Sequence, residues 1–68
     1  MMINVTINGD THSLNGDLSL VELLVKFDIE QDKVAIEHNK EIVPKTTFEQ
    51  VMVSDGDQLE IVHFIGGG

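Results

Sequence analysis

The sequence predicts an α+β fold: a mixed sheet of about five strands, one main helix packed on one face, and a flexible glycine tail at the C-terminus. Three observations carry that prediction. Ile3, Val5 and Ile7 alternate with Asn4, Thr6 and Asn8, the period of two that marks a half-buried strand. Leu20, Leu23, Leu24 and Phe27 follow the i, i+3, i+4, i+7 spacing of one apolar helix face. The strand-like run Gln58 to Phe64 leads through Ile65 into Gly66-Gly67-Gly68, and glycine has more backbone freedom to lose on ordering than any other residue.

The strands and helix follow in order. Asn8-Gly9 tolerates the positive φ of a two-residue hairpin loop, so the first strand should return over Asp10 to Leu14, with Ile7 facing Asp10, Val5 facing His12 and Ile3 facing Leu14. His12 then lies on the core face near the hairpin end, as a sheet-edge histidine. Ser19-Leu20-Val21-Glu22 is a capping box, with Leu18 and Leu23 at the staple positions. It opens a helix over about Leu20 to Phe27, short enough that packing rather than propensity must hold it. Val34 to Glu37 forms the third strand, His38 to Glu41 a turn, and Ile42-Val43 a fourth strand limited by Pro44, which has no N–H for a ladder. Thr46 and Glu49 form a second, weaker capping box, predicting one helical turn that buries Phe48. Asp55-Gly56-Asp57 is a tight turn, and the last strand runs from Gln58 to Phe64. This order suits the β-grasp arrangement, which by analogy places the last strand centrally and parallel to the first.

Bulk properties narrow the function. With 68 residues the chain reads as a single domain over 1–65 followed by a tail over 66–68. So short a chain buries only about 60% of its unfolded surface, which leaves little room for an enclosed active site. The absence of cysteine removes disulfides, thiolate metal sites and cysteine nucleophiles together. Twelve acidic and 4 basic side chains give a net charge of −8. Such a surface repels phosphate backbones and anionic membranes, so neither nucleic acid nor membrane is expected as a partner. No apolar run approaches a membrane span and no signal peptide opens the chain, so a cytoplasmic location is expected.

No catalytic or metal constellation emerges. His12, His38 and His63 are widely spaced and none sits at a helical metal-ligand spacing. The carboxylates read as a solvated surface. Asp55 and Asp57 flank a turn and could hold a cation weakly, but the rest of a calcium loop is missing. The last strand says more. Parity puts Leu59, Ile61 and His63 on one face, and Glu60, Val62 and Phe64 on the other, which no helix covers. Two uses of Val62 and Phe64 compete: a docking patch beside the tail, or completion of the core at the sheet edge. The glycines are equally open. A frayed end, a cloning remnant and a linker compete with a thread that enters a partner's narrow active site. Three residues reach about 10 Å and would present the Gly68 carboxylate there, a poor electrophile until activated.

The set of motifs resembles the ThiS-type sulfur carriers of thiamine biosynthesis, which are ubiquitin-like β-grasp proteins. The resemblance rests on the hairpin start, on Ser19, Glu22, Leu23 and Leu24, on the segment Val34 to Lys45, on Asp55-Gly56-Asp57 and on the Gly67-Gly68 ending. It implies a carrier rather than an enzyme. A ThiF-type adenylyltransferase would adenylate Gly68 with ATP and magnesium, none of it held by the carrier. A cysteine desulfurase would supply sulfur indirectly for a C-terminal thiocarboxylate, and a ThiG-type thiazole synthase would take the sulfur into a thiazole. Gly66 and Gly67 would be the leash, and Val62, Phe64 and Ile65 the partner-binding residues of a chain that is a monomer on its own. The small subunit of molybdopterin synthase, carriers for other thiolations, a lysine-linked modifier and a non-covalent ubiquitin-like interaction domain are the alternatives.

Overall fold

In the computed structural model, which describes residues 1–64, the chain begins with the hairpin that Asn8-Gly9 dictates. Asn8 and Gly9 take φ of 50° and 87°, the left-handed pair that a two-residue loop requires. Strand β1 (Met2–Ile7) therefore pairs antiparallel with β2 (Asp10–Asn15). Ile7 stands opposite Asp10, Val5 opposite His12 and Ile3 opposite Leu14, the register the turn predicts. Ile3, Val5 and Leu14 are buried. His12 is half-buried, its ring edge-on to Phe27 at 5.1 Å.

Helix α1 (Leu20–Lys26) opens on the expected capping box. The Ser19 hydroxyl accepts from the Glu22 N–H at 3.2 Å, and the Glu22 carboxylate accepts from the Ser19 N–H at 2.8 Å. Two more donors of the first turn find loop carbonyls: Leu20 N–H donates to Val51 and Val21 N–H to Phe48. Those first-turn N–H groups have no partner within the helix, so the loop carbonyls fix the helix to the chain it packs against. Leu20, Leu23 and Leu24 are fully buried. Phe27, expected as the last helical residue, is the C-cap. Asp28 then takes φ 58°, its N–H donates to Val25 and the Ile29 N–H to Leu24. This is a Schellman ending with a non-glycine residue at the left-handed position.

The remaining strands are β3 (Leu18–Ser19), β4 (Val34–His38), β5 (Glu41–Ile42), β6 (Met52–Val53) and β7 (Gln58–His63). The main sheet has the order β2-β1-β7-β4-β5. Strand β7 is central, parallel to β1 and antiparallel to β4, with α1 against one face. This is the ubiquitin-like β-grasp fold. The core between helix and sheet gathers Val5, Leu20, Leu23, Leu24, Val34, Ile36, Phe48 and Leu59. Among the described residues, no helix is long and apolar enough to cross a membrane.

Several local expectations need correction. The β4–β5 turn is only Asn39-Lys40, both at positive φ, so His38 and Glu41 are strand residues and β5 begins one residue early. The second capping box does not form. Pro44 with φ −59° leads into a 3-10 turn at Lys45–Thr47 with no side-chain cap. Thr47 Oγ1 donates instead to the Pro44 carbonyl at 2.7 Å, while Thr46 is exposed. Phe48 is buried as expected. The two-residue ribbon of β3 and β6 and a 3-10 turn at Gln31–Lys33 lie outside the predicted elements.

The carboxylates are not all solvated. Asp57 is buried, and it accepts from His38 Nε2 at 2.7 Å, the Ser54 N–H at 2.8 Å and Asn39 Nδ2 at 3.2 Å. Asp55 Oδ1 accepts from the Asn4 N–H at 2.7 Å. Both side chains that sequence offered to a cation are thus committed to holding loops together.

Candidate functional site: the open sheet face

The pleat of β7 separates its residues as parity requires. Leu59 and Ile61 are buried under the helix. Glu60, Val62 and Phe64 take the opposite face and are exposed. Val62 is 59% and Phe64 53% exposed, so neither residue completes the core. His63, on the helix-side parity, is exposed as well, because the core ends at Ile61.

Register brings two further apolar residues to this face. Val62 stands opposite Ala35 and Glu60 opposite Glu37, and Glu37 stands opposite Ile42. Residues directly opposite in an antiparallel ladder share a face, so Ala35 and Ile42 join Val62 and Phe64. Ile42 is 78% exposed. Reading His38 to Glu41 as one turn hid it. A two-residue loop at Asn39-Lys40 sets Ile42 opposite Glu37, and the Asn39 φ preference was the available signal.

The tail root is held at two points. The Phe64 N–H donates to the Lys33 carbonyl at 2.9 Å, the last bond of the β4–β7 ladder. Lys45 Nζ lies 5.3 Å from the centroid of the Phe64 ring, within cation–π range. The face is thus an apolar strip of Val62, Phe64, Ala35 and Ile42, with Glu37 and Glu60 among it and Lys45 at the tail side. Of the predicted site residues, Val62 and Phe64 lie here. Ile65, Gly66, Gly67 and Gly68 lie outside the described residues.

Among the described residues, no group of His, Asp or Glu is placed to hold a metal ion. His12 packs on Phe27 and His38 binds Asp57, so two of the three histidines serve the scaffold.

A model of the ThiS family matches residues 5–68. The chain belongs to the ThiS family. The sulfur carrier protein ThiS of Bacillus subtilis is 42% identical over 50 residues, covering 74% of this chain and 76% of that protein. The crystal structure of the thiamine biosynthesis protein ThiS from Geobacter metallireducens superposes with a TM-score of 0.82 at 35% identity, covering 97% of this chain and 100% of that one. The thiazole synthase of Paramagnetospirillum magneticum is 46% identical over 66 residues, which is 97% of this chain but 20% of that protein. The chain thus spans about a fifth of the length of the thiazole synthase relatives it matches. In this ThiS-family chain the fold is shared along nearly the whole sequence, and the open face described above sits where β7 runs out toward Ile65.

Proposed function

We propose that this chain is a sulfur carrier of thiamine biosynthesis, working through the carboxylate of Gly68. The observation that carries the reading is the ThiS-family match, which runs through the open sheet face to Gly68 itself. Relatives named as sulfur carrier proteins and as thiazole synthases support it.

A carboxylate is unreactive toward sulfur nucleophiles until a leaving group is attached. A ThiF-type adenylyltransferase, using ATP and magnesium, supplies one: a Gly68 oxygen attacks the α-phosphorus, pyrophosphate leaves and an acyl-adenylate results. The terminal sulfur of a persulfide originating from a cysteine desulfurase then displaces AMP to give an acyl disulfide. A thiol supplied by the partners or by free cysteine cleaves its S–S bond, leaving the thiocarboxylate and a disulfide. A ThiG-type thiazole synthase takes that sulfur, and the carboxylate returns. The carrier itself needs no resident cofactor and is not an enzyme. It contributes the carboxyl group, the reach of Gly66 and Gly67, and recognition through Val62, Phe64 and Ile65, to which register adds Ile42. The body over 1–65 is the handle and 66–68 the thread, in a cytoplasmic monomer that meets its partners transiently.

The experiment is reconstitution. Purified chain is incubated with the adenylyltransferase, ATP, magnesium, desulfurase and cysteine, and its mass is read. The reading requires oxygen-for-sulfur exchange in the intact chain and none when Gly68 is deleted or one residue is added after it. Sulfur gain by the truncated chain would sink it.

A further inference from the structure

A second surface lies on the opposite side of the molecule, against the outer side of α1. There a groove of about 410 Å³ runs between the end of the helix and the segment that follows it. Four apolar residues, Val21, Leu24, Val25 and Ile29, line it beside Gln31. Val25 is 72% exposed, although it is a β-branched apolar residue on the solvent side of a helix, where lysine or glutamate is favoured on propensity. The rim is acidic, formed by Asp28, Glu30 and Asp32. Lys33 pairs with Glu30 at 2.9 Å, while Asp28 and Asp32 enter no ion pair among the described residues.

The local backbone keeps a carboxylate at this rim. Asp28 holds the left-handed C′ position with φ 58°, where glycine is the least costly choice. Nothing in the fold calls for its charge, since its N–H alone makes the helix-ending bond to Val25.

We propose that this groove is a docking site for a basic, extended segment of a partner protein, with one apolar side chain seated between Val25 and Ile29 and arginine or lysine at Asp28 and Asp32. Charge complementarity selects the occupant. An apolar slot lined by unpaired carboxylates, on a chain of net charge −8, repels nucleic acid and anionic lipid and favours a cationic peptide. The groove and the open sheet face lie on opposite sides of the sheet–helix sandwich, so a partner held here leaves Val62, Phe64 and the tail free. A chain that must place its terminus in one protein could in this way be tethered by another at the same time. The proposal does not depend on sulfur chemistry.

The test uses the isotope-labelled full chain, titrated in turn with a short synthetic peptide bearing one leucine flanked by arginines and with a control in which glutamates replace the arginines. Amide shifts centred on Val21, Val25, Asp28 and Ile29 are expected for the basic peptide alone. They should fade in about 1 M salt, where the screening length is about 3 Å. Val25→Gln, and separately the pair Asp28→Asn with Asp32→Asn, should each weaken binding about fivefold or more. Asparagine tolerates the left-handed backbone at position 28, so the fold is kept. The proposal is overturned if neither peptide shifts these amides, if both do so equally, if shifts centre on Val62 and Phe64, or if magnesium or free arginine reproduces them.

Discussion

The side chain of Asn8 takes the place of a strand residue opposite Ile61. Its Oδ1 accepts from the Ile61 N–H at 2.7 Å and its Nδ2 donates to the Ile61 carbonyl at 3.0 Å. Strand β1 turns back into the hairpin after Ile7, and its parallel ladder with β7 covers only Thr6–Gln58 and Ile7–Leu59. Asn8 therefore does two things. Its backbone makes the turn, and its amide extends the ladder along the central strand toward the tail.

Asn8→Gly separates those roles, because glycine adopts φ 50° without strain but has no amide. The substitution should cost about 1–2 kcal/mol, the scale of losing hydrogen bonds to partly buried backbone groups. Urea unfolding measures the loss, and hydrogen exchange at the Ile61 amide should accelerate beyond that at Leu59. An unchanged midpoint would show that water replaces the Asn8 amide at no cost.

Asp57 gives a pH dependence with a definite sign. Burial pushes its carboxyl up. Hydrogen bonds from His38, the Ser54 N–H and Asn39, with the charge of His38, outweigh burial and hold it below the ordinary value of 3.8. A group whose folded value is depressed stabilises the fold fully above its unfolded value, and that contribution is lost as pH falls through the folded one. Stability should therefore fall below about pH 3.8, as the link between the β4–β5 turn and the β6–β7 loop is protonated. Asp57→Asn should flatten this part of the acid limb in unfolding curves taken across pH, at the cost of lower stability near neutrality.

The hairpin register, the helix and its cap were legible because each rests on residues close in sequence: Asn8-Gly9, and Ser19 with Glu22. The central place of β7 came by analogy, and its parity at Val62 and Phe64 followed from the pleat alone. What escaped depends on distant partners. Asp57 looks like any turn aspartate until His38 and Asn39 are brought to it across the β4–β7 pairing. The β3–β6 ribbon is two residues wide, too short for any period. Thr46 to Glu49 has the letters of a capping box, but the fixed φ of Pro44 sets a 3-10 turn first, and Thr47 bonds back to the Pro44 carbonyl.

That contrast between caps is measurable. Ser19→Ala should cost about 1 kcal/mol, the usual loss for an N-cap hydroxyl. Thr46→Ala should stay within about 0.5 kcal/mol, as for an exposed site away from special features. Equal losses by thermal unfolding would argue for a cap at Thr46 that the fold does not contain.

The open face predicts a split between binding and stability. Phe64→Ala and Ile42→Thr should leave the unfolding midpoint nearly unchanged, while each weakens association with a ThiF-type adenylyltransferase about tenfold, as loss of a central apolar anchor does. Phe48→Ala, at a residue 1% exposed, should instead cost about 3–5 kcal/mol. Titration calorimetry alongside thermal unfolding reads both quantities. A large stability loss for Phe64→Ala with unchanged binding would return that residue to the core.

The proposed carrier role comes down to one group, the Gly68 carboxyl, and to one number, the intact mass of the chain isolated from cells grown without thiamine. Sulfur carriage predicts a fraction heavier by the exchange of one oxygen for sulfur, with fragmentation placing the change at Gly68. A chain of unchanged mass under that demand, or one whose added mass sits on a lysine side chain, would contradict it.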